Sequence, residues 1–313
     1  MKNIHLPKFI LICLLLGSLI FSNHQPAHAQ TAGRGITIIP PKFELFANPG
    51  DNISDNIRVR NESDAPVTYG VVVEDFLSSG EEGHVVLEEE GNQSSFTLAQ
   101  WISPSEKDIV LQPHEERILG FNITVPKDAE PGGHYASVLF QVGGVVTPGS
   151  AAVNQRVGSL VLLRVSGNVS EDSQIETFEA PKYSQKGPIT FDLRLKNNGN
   201  VHIRPKGTIV ITNILGKKVE EIPLRGANVL PGATRKMDTV WEKQNLIGYY
   251  TATLVATYGQ QNLPLTAATK FTVISTTAAI LLVVGGFAAI LFLVSLFTGR
   301  NKLLKAFKAL TSD

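Results

Sequence analysis

Ile53-Ser-Asp-Asn-Ile-Arg-Val-Arg-Asn61, followed by Glu62-Ser-Asp-Ala-Pro66, shows the architecture of the chain in miniature. Ile53, Asp55, Ile57 and Val59 share one face and Ser54, Asn56, Arg58 and Arg60 the other. A two-residue period of this kind suits a strand with one wet face. Asn61-Glu62-Ser63-Asp64 then reads as a polar turn, and Pro66 opens the next strand. The phrase recurs as Leu193-Arg-Leu-Lys-Asn197 before Arg204-Pro205. A second echo runs from Val110-Leu111-Gln112-Pro113 and Gly133-His134-Tyr135 to Val229-Leu230-Pro231 and Gly248-Tyr249-Tyr250. Two copies of one β unit are therefore expected.

Outward from these phrases, residues 30–273 carry almost no helical period. In the first half, β-branched and aromatic runs predict strands at Ile36–Ile39, Ile53–Arg60, Val67–Phe76, His84–Leu87, Arg117–Val125, His134–Val142 and Arg156–Val165. In the second half they fall at Ile189–Lys196, Thr208–Asn213, Lys218–Ile222, Thr234–Trp241, Gly248–Tyr258 and Ala267–Val273. Strands so spaced, without interleaved helices, indicate an all-β chain with two tandem immunoglobulin-like β-sandwich domains. The expected boundaries are 30–168 and 169–273, meeting near Gly167–Asp172. A tyrosine that follows glycine into a long apolar strand, as Tyr135 and Tyr250 do, either clamps a sandwich corner or is an ordinary core aromatic.

The two ends predict where the chain resides. Residues 1–29 combine Lys2 and Lys8, an apolar run from Phe9 to Phe21 and Ala27-His28-Ala29 before Gln30, the pattern of a cleaved signal peptide. Cys13, the single cysteine, leaves with it, so disulfides and thiol chemistry are not expected of the mature chain. Residues 274–297 are uncharged and, as a helix, about 36 Å long, enough to cross a bilayer. Gly285-Gly286 within it reads as ordinary composition or as a close helix contact. The tail 298–313 holds Arg300, Lys302, Lys305 and Lys308, which predicts a cytoplasmic end and an extracellular N-terminal region. Leu303, Leu304, Phe307 and Leu310 make that tail either an amphipathic interfacial helix or a frayed end.

Lys+Arg and Asp+Glu balance at 28 each, but unevenly along the chain. Residues 30–170 hold 9 basic and 18 acidic groups; residues 171–273 hold 13 and 9. Neither half suggests a nucleic-acid surface.

No constellation predicts catalysis. His84, His114, His134 and His202 stand alone, with none of the spacings a metal site uses. Nucleophile elbow, phosphate loop and dinucleotide fingerprint are all lacking. Pro148-Gly149-Ser150 reads as a loop. Glu81-Glu82 and Glu88-Glu89-Glu90 predict a solvated acidic hairpin at a domain edge, or a docking surface for a basic partner. Trp101 and Trp241 are expected in cores. The Asn-x-Ser/Thr triplets at Asn52, Asn61, Asn92, Asn122 and Asn168 are glycan acceptors only in a eukaryotic secretory route. No catalytic, cofactor or metal residue is assigned, and no cofactor is expected.

The stretches Ile38-Ile-Pro-Pro-Lys-Phe, Asn48-Pro-Gly-Asp-Asn-Ile, Val59-Arg-Asn and Pro126-Lys-Asp-Ala-Glu-Pro-Gly-Gly-His-Tyr resemble the first extracellular domain of bacterial WxL-interacting surface proteins. The resemblance implies signal peptide, two sandwich domains, one span and a basic tail. It also implies a cell-surface scaffold whose partners are a cell-wall polymer, a secreted WxL-type protein, or both. Residues 171–273 look more like a generic bacterial immunoglobulin-like domain. A rival expectation is a chaperone-like donor-strand protein, which would grip a carboxylate through Arg156, Arg164 and Lys182. A glycan hydrolase using carboxylates from residues 74–90 is a third and weaker expectation.

Overall fold

The computed structural model describes residues 35–88, 95–142, 155–298, 307 and 309. The expected signal peptide with Cys13, the 148–150 loop, Glu89, Glu90, Asn92 and nearly all of the basic tail lie outside them.

The described chain is mostly β. Its first half runs β1 (Ile36–Ile39), β2 (Lys42–Ala47), β3 (Asn52–Asn61), β4 (Val67–Ser79), β5 (His84–Leu87), β6 (Ile102–Pro104), β7 (Asp108–Leu111), β8 (Glu116–Thr124), β9 (Gly132–Val142) and β10 (Arg156–Val165). One sheet has the order β1-β3-β8-β6; the other is β2-β10-β9-β4-β5, with β7 also on β4. The chain leaves β1 at Pro40-Pro41 and joins the opposite sheet, where β2 lies parallel to β10 and all other pairs are antiparallel. This order is that of an immunoglobulin-like sandwich. Alternation fills the space between the sheets: Ile57, Val59, Leu119, Phe121 and Ile123 meet Tyr69, Val138, Phe140, Val161 and Leu163 in one core.

The second half runs β11 (Ser173–Glu179), β12 (Tyr183–Ser184), β13 (Ile189–Asn197), β14 (Lys206–Asn213), β15 (Lys218–Pro223), β16 (Thr234–Lys236), β17 (Thr239–Trp241), β18 (Gly248–Tyr258) and β19 (Leu263–Val273). Its sheets are β11-β13-β16, with β17 also on β13, and β12-β19-β18-β14-β15. A separate core gathers Phe191, Leu193, Leu195, Ile209, Ile211, Leu254 and Phe271. Trp241 is buried in that core, and Trp101 packs against the first one. α1 (Thr276–Thr298) follows, an apolar helix long enough to cross a membrane by length and composition.

Predicted strands differ from the observed ones where pairing overrides pattern. Thr234–Trp241 is two strands with a break at Met237-Asp238, not one. β2, β6, β7, β11 and β12 have no counterpart among the predicted strands. In β11 a register shift between Ile175 and Thr177 interrupts the two-residue period that would have revealed it. β6 and β12, of three and two residues, are too short to show a period; in β7 burial alternates, but the exposed Val110 is apolar and hides the alternation in the sequence.

The echo between halves has a structural counterpart. Asn61 and Asn197 both end a strand and are wholly buried. Asn61 Nδ2 donates to the carbonyls of Ala65 (2.8 Å), Gln112 (3.0 Å) and Leu111 (3.2 Å), while its Oδ1 accepts from Ser63 N–H. Asn197 Nδ2 donates to Val201 (2.7 Å) and Val229 (2.9 Å), and its Oδ1 accepts from Gly199 N–H. Each side chain thus fastens its own turn to the loop across the sandwich. With its amide so engaged, Asn61 is no glycan acceptor in the folded chain.

Candidate functional site

The two cores meet along a seam, and the seam gathers nearly every polar side chain of interest. At its centre the outer face of the β10-β9-β4 sheet, instead of facing water, forms a small third cluster of Phe76, Tyr135 and Leu162. Phe96, Leu160 and Leu230, the last from the second half, pack against it.

Tyr135 does not clamp a corner. Its hydroxyl oxygen accepts from His202 N–H at 2.8 Å and lies 3.3 Å from His202 Nδ1. The corner role falls to Tyr250, whose hydroxyl donates to the Ile247 carbonyl at 3.0 Å. Burial pushes the Tyr135 phenol well above its usual range. Burial likewise pushes the His202 imidazole down from 6.5 to about 4, with Glu44 opposing and Arg164 and Lys42 adding to the shift.

Below this contact, Gly133 N–H donates to the Asn200 carbonyl (2.8 Å) and Asn200 Nδ2 to the Pro131 carbonyl (3.0 Å). Gly132, at φ +135°, comes so close to Asn200 that a Cβ would sit 2.7 Å from its carbonyl oxygen. The connection between halves is tied as well. Glu171 takes Arg164 on one side and the Gln260 N–H on the other.

The acidic hairpin is both solvated and tied. Glu82 is exposed and the Glu81 side chain nearly half so, yet Glu81 pairs with Arg194 at 2.7 Å, and its carbonyl accepts from Lys236 N–H at 2.8 Å. Arg235 lies directly over Gly83. The basic residues it meets belong to the second half of the same chain.

The cations expected to grip a carboxylate do not converge. Arg156 pairs with Glu74 on β4, Arg164 with Glu171, and Lys182 lies beside β12 at the far end of the second half. His134 is held between the Thr97 and Glu130 carbonyls, and its ring lies 4.4 Å from that of Trp101 at a 42° tilt. His114 pairs with Asp64 at the surface. Among the described residues no three His, Cys, Asp or Glu side chains come together as a metal site.

Two cavities open on the seam. The first, about 230 Å³, has a floor of Phe76, Leu160, Leu162 and Leu230 and a rim including Lys42, His84, Asn228 and Arg235. The second, about 250 Å³, is polar and is lined by Glu44, Arg164, Glu171, His202, Arg204 and Lys206 among others. Asn228 lines both and donates to Glu44 at 2.8 Å between them. Burial raises the Glu44 carboxyl, but hydrogen bonds from Lys42 and Asn228 outweigh it and hold the group below its ordinary value. In the first cavity's wall, Asn228 Oδ1 and Arg235 Nε are buried without a hydrogen-bond partner. β2 runs beside both cavities, with Lys42 on the first and Glu44 on the second. It is the end strand of its sheet, and no described residue pairs with its outer edge. Of the seam residues, Arg164 and Tyr135 stand out in the sequence, though for other roles; Glu44, Asn228 and Arg235 carry no local signal.

A pH test follows from His202. Because its folded value lies below the unfolded one, stability is complete above about pH 6.5 and declines as pH falls towards 4. By pH 4.5 the loss attributable to this one group is expected to be about 2–3 kcal/mol. Comparing urea midpoints of the native chain and His202→Gln across pH 7.5 to 4.5 checks it; equal declines in both would remove His202 as the cause.

No family model matches the chain, and no curated protein does. Among solved structures, a chain of a chaperone–tip adhesin complex of CFA/I fimbriae superposes with a TM-score of 0.40 at 15% identity, over 75% of this chain and 98% of that one. The class 5 fimbriae chaperone CfaA gives 0.36 at 13%, over 75% and 99%. The Pseudomonas aeruginosa CupB2 chaperone gives 0.35 at 10%, over 76% and 100%.

Proposed function

We propose that this chain is a membrane-anchored binding protein of the cell surface, without catalytic activity. Two immunoglobulin-like domains, 30–168 and 169–273, stand outside the cell on the span 274–297, with the tail 298–313 inside. The seam between them takes an extended segment of another secreted surface protein. One observation carries this reading: a six-residue open strand edge, β2, passes beside two cavities of different character, bridged by Asn228 and Glu44. Strand addition supplies affinity through main-chain hydrogen bonds, and flanking cavities supply side-chain choice. The other free edges are poorer. β15 carries Lys218, Glu220 and Glu221, β11 carries Glu176 and Glu179 and is broken by its register shift, and the remaining edge strands span four residues or fewer. The first cavity suits an apolar side chain; the second, with Arg164, Arg204 and Lys206, suits a polar or acidic one.

Filling the first cavity tests the reading. Ala227→Trp is expected to reduce capture of the partner by at least about tenfold, equivalent to ~1.4 kcal/mol, with the melting temperature unchanged. A photo-cross-linker at Ser78, in the full chain on cells, reports capture, with one at Val255 as control. Equal adducts at both positions would sink the proposal. Co-sedimentation with isolated cell wall that survives Ala227→Trp would point instead to a wall polymer bound elsewhere. A second, chaperone-like reading is favoured by the placing of the cleft where two sandwiches meet. It requires the adduct to be transient and lost once the partner is assembled.

A further inference from the structure

The second half gathers most of its exposed large apolar side chains at one end. β18 and β19 pair Gly248 with Val273, and β14 and β18 pair Asn213 with Tyr250. β12 sets Ser184 beside Val273, and β13 and β17 pair Ile189 with Trp241. These registers bring three loops, residues 180–188, 213–218 and 242–247, to the end of the sandwich from which α1 departs. Between Ser173 and Val273 seven large apolar side chains are exposed, and five are here: Tyr183, Ile214, Leu215, Ile247 and Tyr249. Leu215 is 86% exposed, Ile214 75% and Ile247 66%.

The Ile214-Leu215 tip is not loose. Asn213 Oδ1 accepts from the N–H groups of both Leu215 and Lys217 at 3.0 Å, and Gly216 closes the turn at φ +73°. The turn thus holds two aliphatic side chains outward, an arrangement water does not favour. Around them stand Lys182, Lys186, Lys217 and Lys243, with Lys218 paired to Glu221; the one acid in the three loops is Glu242.

Only Ile274 and Ser275 separate β19 from α1. Two residues reach about 7 Å at most, so this end cannot rise clear of the headgroup layer of a membrane crossed by α1. The join is braced: Tyr183 donates its hydroxyl to the Ile274 carbonyl at 2.8 Å, and Ser275 Oγ accepts from Ala278 N–H.

We infer that the 180–188, 213–218 and 242–247 loops form a membrane-seated collar. In it Ile214, Leu215 and Ile247 enter the outer leaflet and the lysines contact lipid phosphates. The sandwich is then planted on the bilayer in a fixed orientation instead of swinging on its anchor. This rests on the reading that residues 274–297 span the membrane.

The test uses the full chain, with Cys13 changed to serine, in vesicles of phosphatidylcholine and phosphatidylglycerol. Single cysteines at Leu215, Ile247, Val110 and Val284 carry an environment-sensitive fluorophore, and lipids spin-labelled near the headgroup act as quencher. The expected result is about twofold quenching at 215 and 247, little at 110, and a membrane environment at 284. Labels at 215 and 247 that behave as at 110, while 284 reports the bilayer, would overturn the collar and leave the span intact. A water-exposed label at 284 would overturn both. As a second measurement, Ile214→Asp with Leu215→Asp is expected to reduce quenching at 247 in a chain of unchanged melting temperature; undiminished quenching would mean the tip does not seat the sandwich.

Discussion

Asn197→Ala is expected to lower stability by about 2–4 kcal/mol. The side chain has no exposed surface, and its removal leaves the Val201 carbonyl without a partner. The Val229 carbonyl keeps the Ile203 N–H and the Gly199 N–H keeps the Asp172 carbonyl, each losing one of two hydrogen bonds. A buried polar group left unsatisfied costs about 1–3 kcal/mol, and each further lost bond about 0.5–1 kcal/mol, which gives the range stated. Asn197→Asp is expected to be worse, because an acceptor-only carboxylate would face those two carbonyls. Asn61→Ala removes the equivalent fastening in the first half and is expected to cost a similar amount. The two fastenings belong to different cores, so the double variant should show the sum within roughly 0.5 kcal/mol. Urea midpoints measure all four; a change below about 1 kcal/mol for Asn197→Ala would show that the turn is held by backbone bonds alone.

Tyr135→Ala is expected to do something different: to uncouple the halves. Its ring lies 5.9 Å from Phe76, 6.2 Å from Phe96 and 5.7 Å from His202, and its oxygen is the acceptor for His202 N–H. Removing a buried ring costs about 3–5 kcal/mol. Here the loss falls on the cluster that joins two separate cores, so calorimetry should resolve two transitions where the native chain is expected to give one. Tyr135→Phe keeps the ring, loses the acceptor, and should cost about 1–2 kcal/mol with one transition retained. A single unshifted transition for Tyr135→Ala would mean that the Glu81–Arg194 and Arg164–Glu171–Gln260 ties couple the halves without it.

These ties use part of the uneven charge along the chain. The pattern of Glu81-Glu82 reads as a solvated acidic edge, and Glu82 is exposed. Folding also brings Arg194, Arg235 and Lys236 beside that hairpin, so it links the two halves. The same rigidity bears on the proposed function. A fixed seam presents its two cavities without first paying for ordering, which favours affinity for an extended segment.

Much of the fold is legible locally. Alternation in Ile53–Arg60 and the Asn-led turns repeat because the same physics acts twice: a sandwich strand needs one apolar face, and its buried turn needs a side chain that both donates and accepts. β2 and β11 escape such reading, the first because its parallel partner β10 lies far along the chain, the second because of its register shift.

By itself, then, the amino-acid order determined the β character, the twofold repetition and the apolar segment beyond Val273, since each is a matter of period or composition over neighbouring residues. Only the tertiary structure decided that Tyr135 reaches His202, that Glu44 meets Asn228 between two cavities, and that Ile214, Leu215 and Ile247 gather where the helix leaves. Those meetings depend on how sheets pair across long separations, and a local period contains no record of what lies opposite.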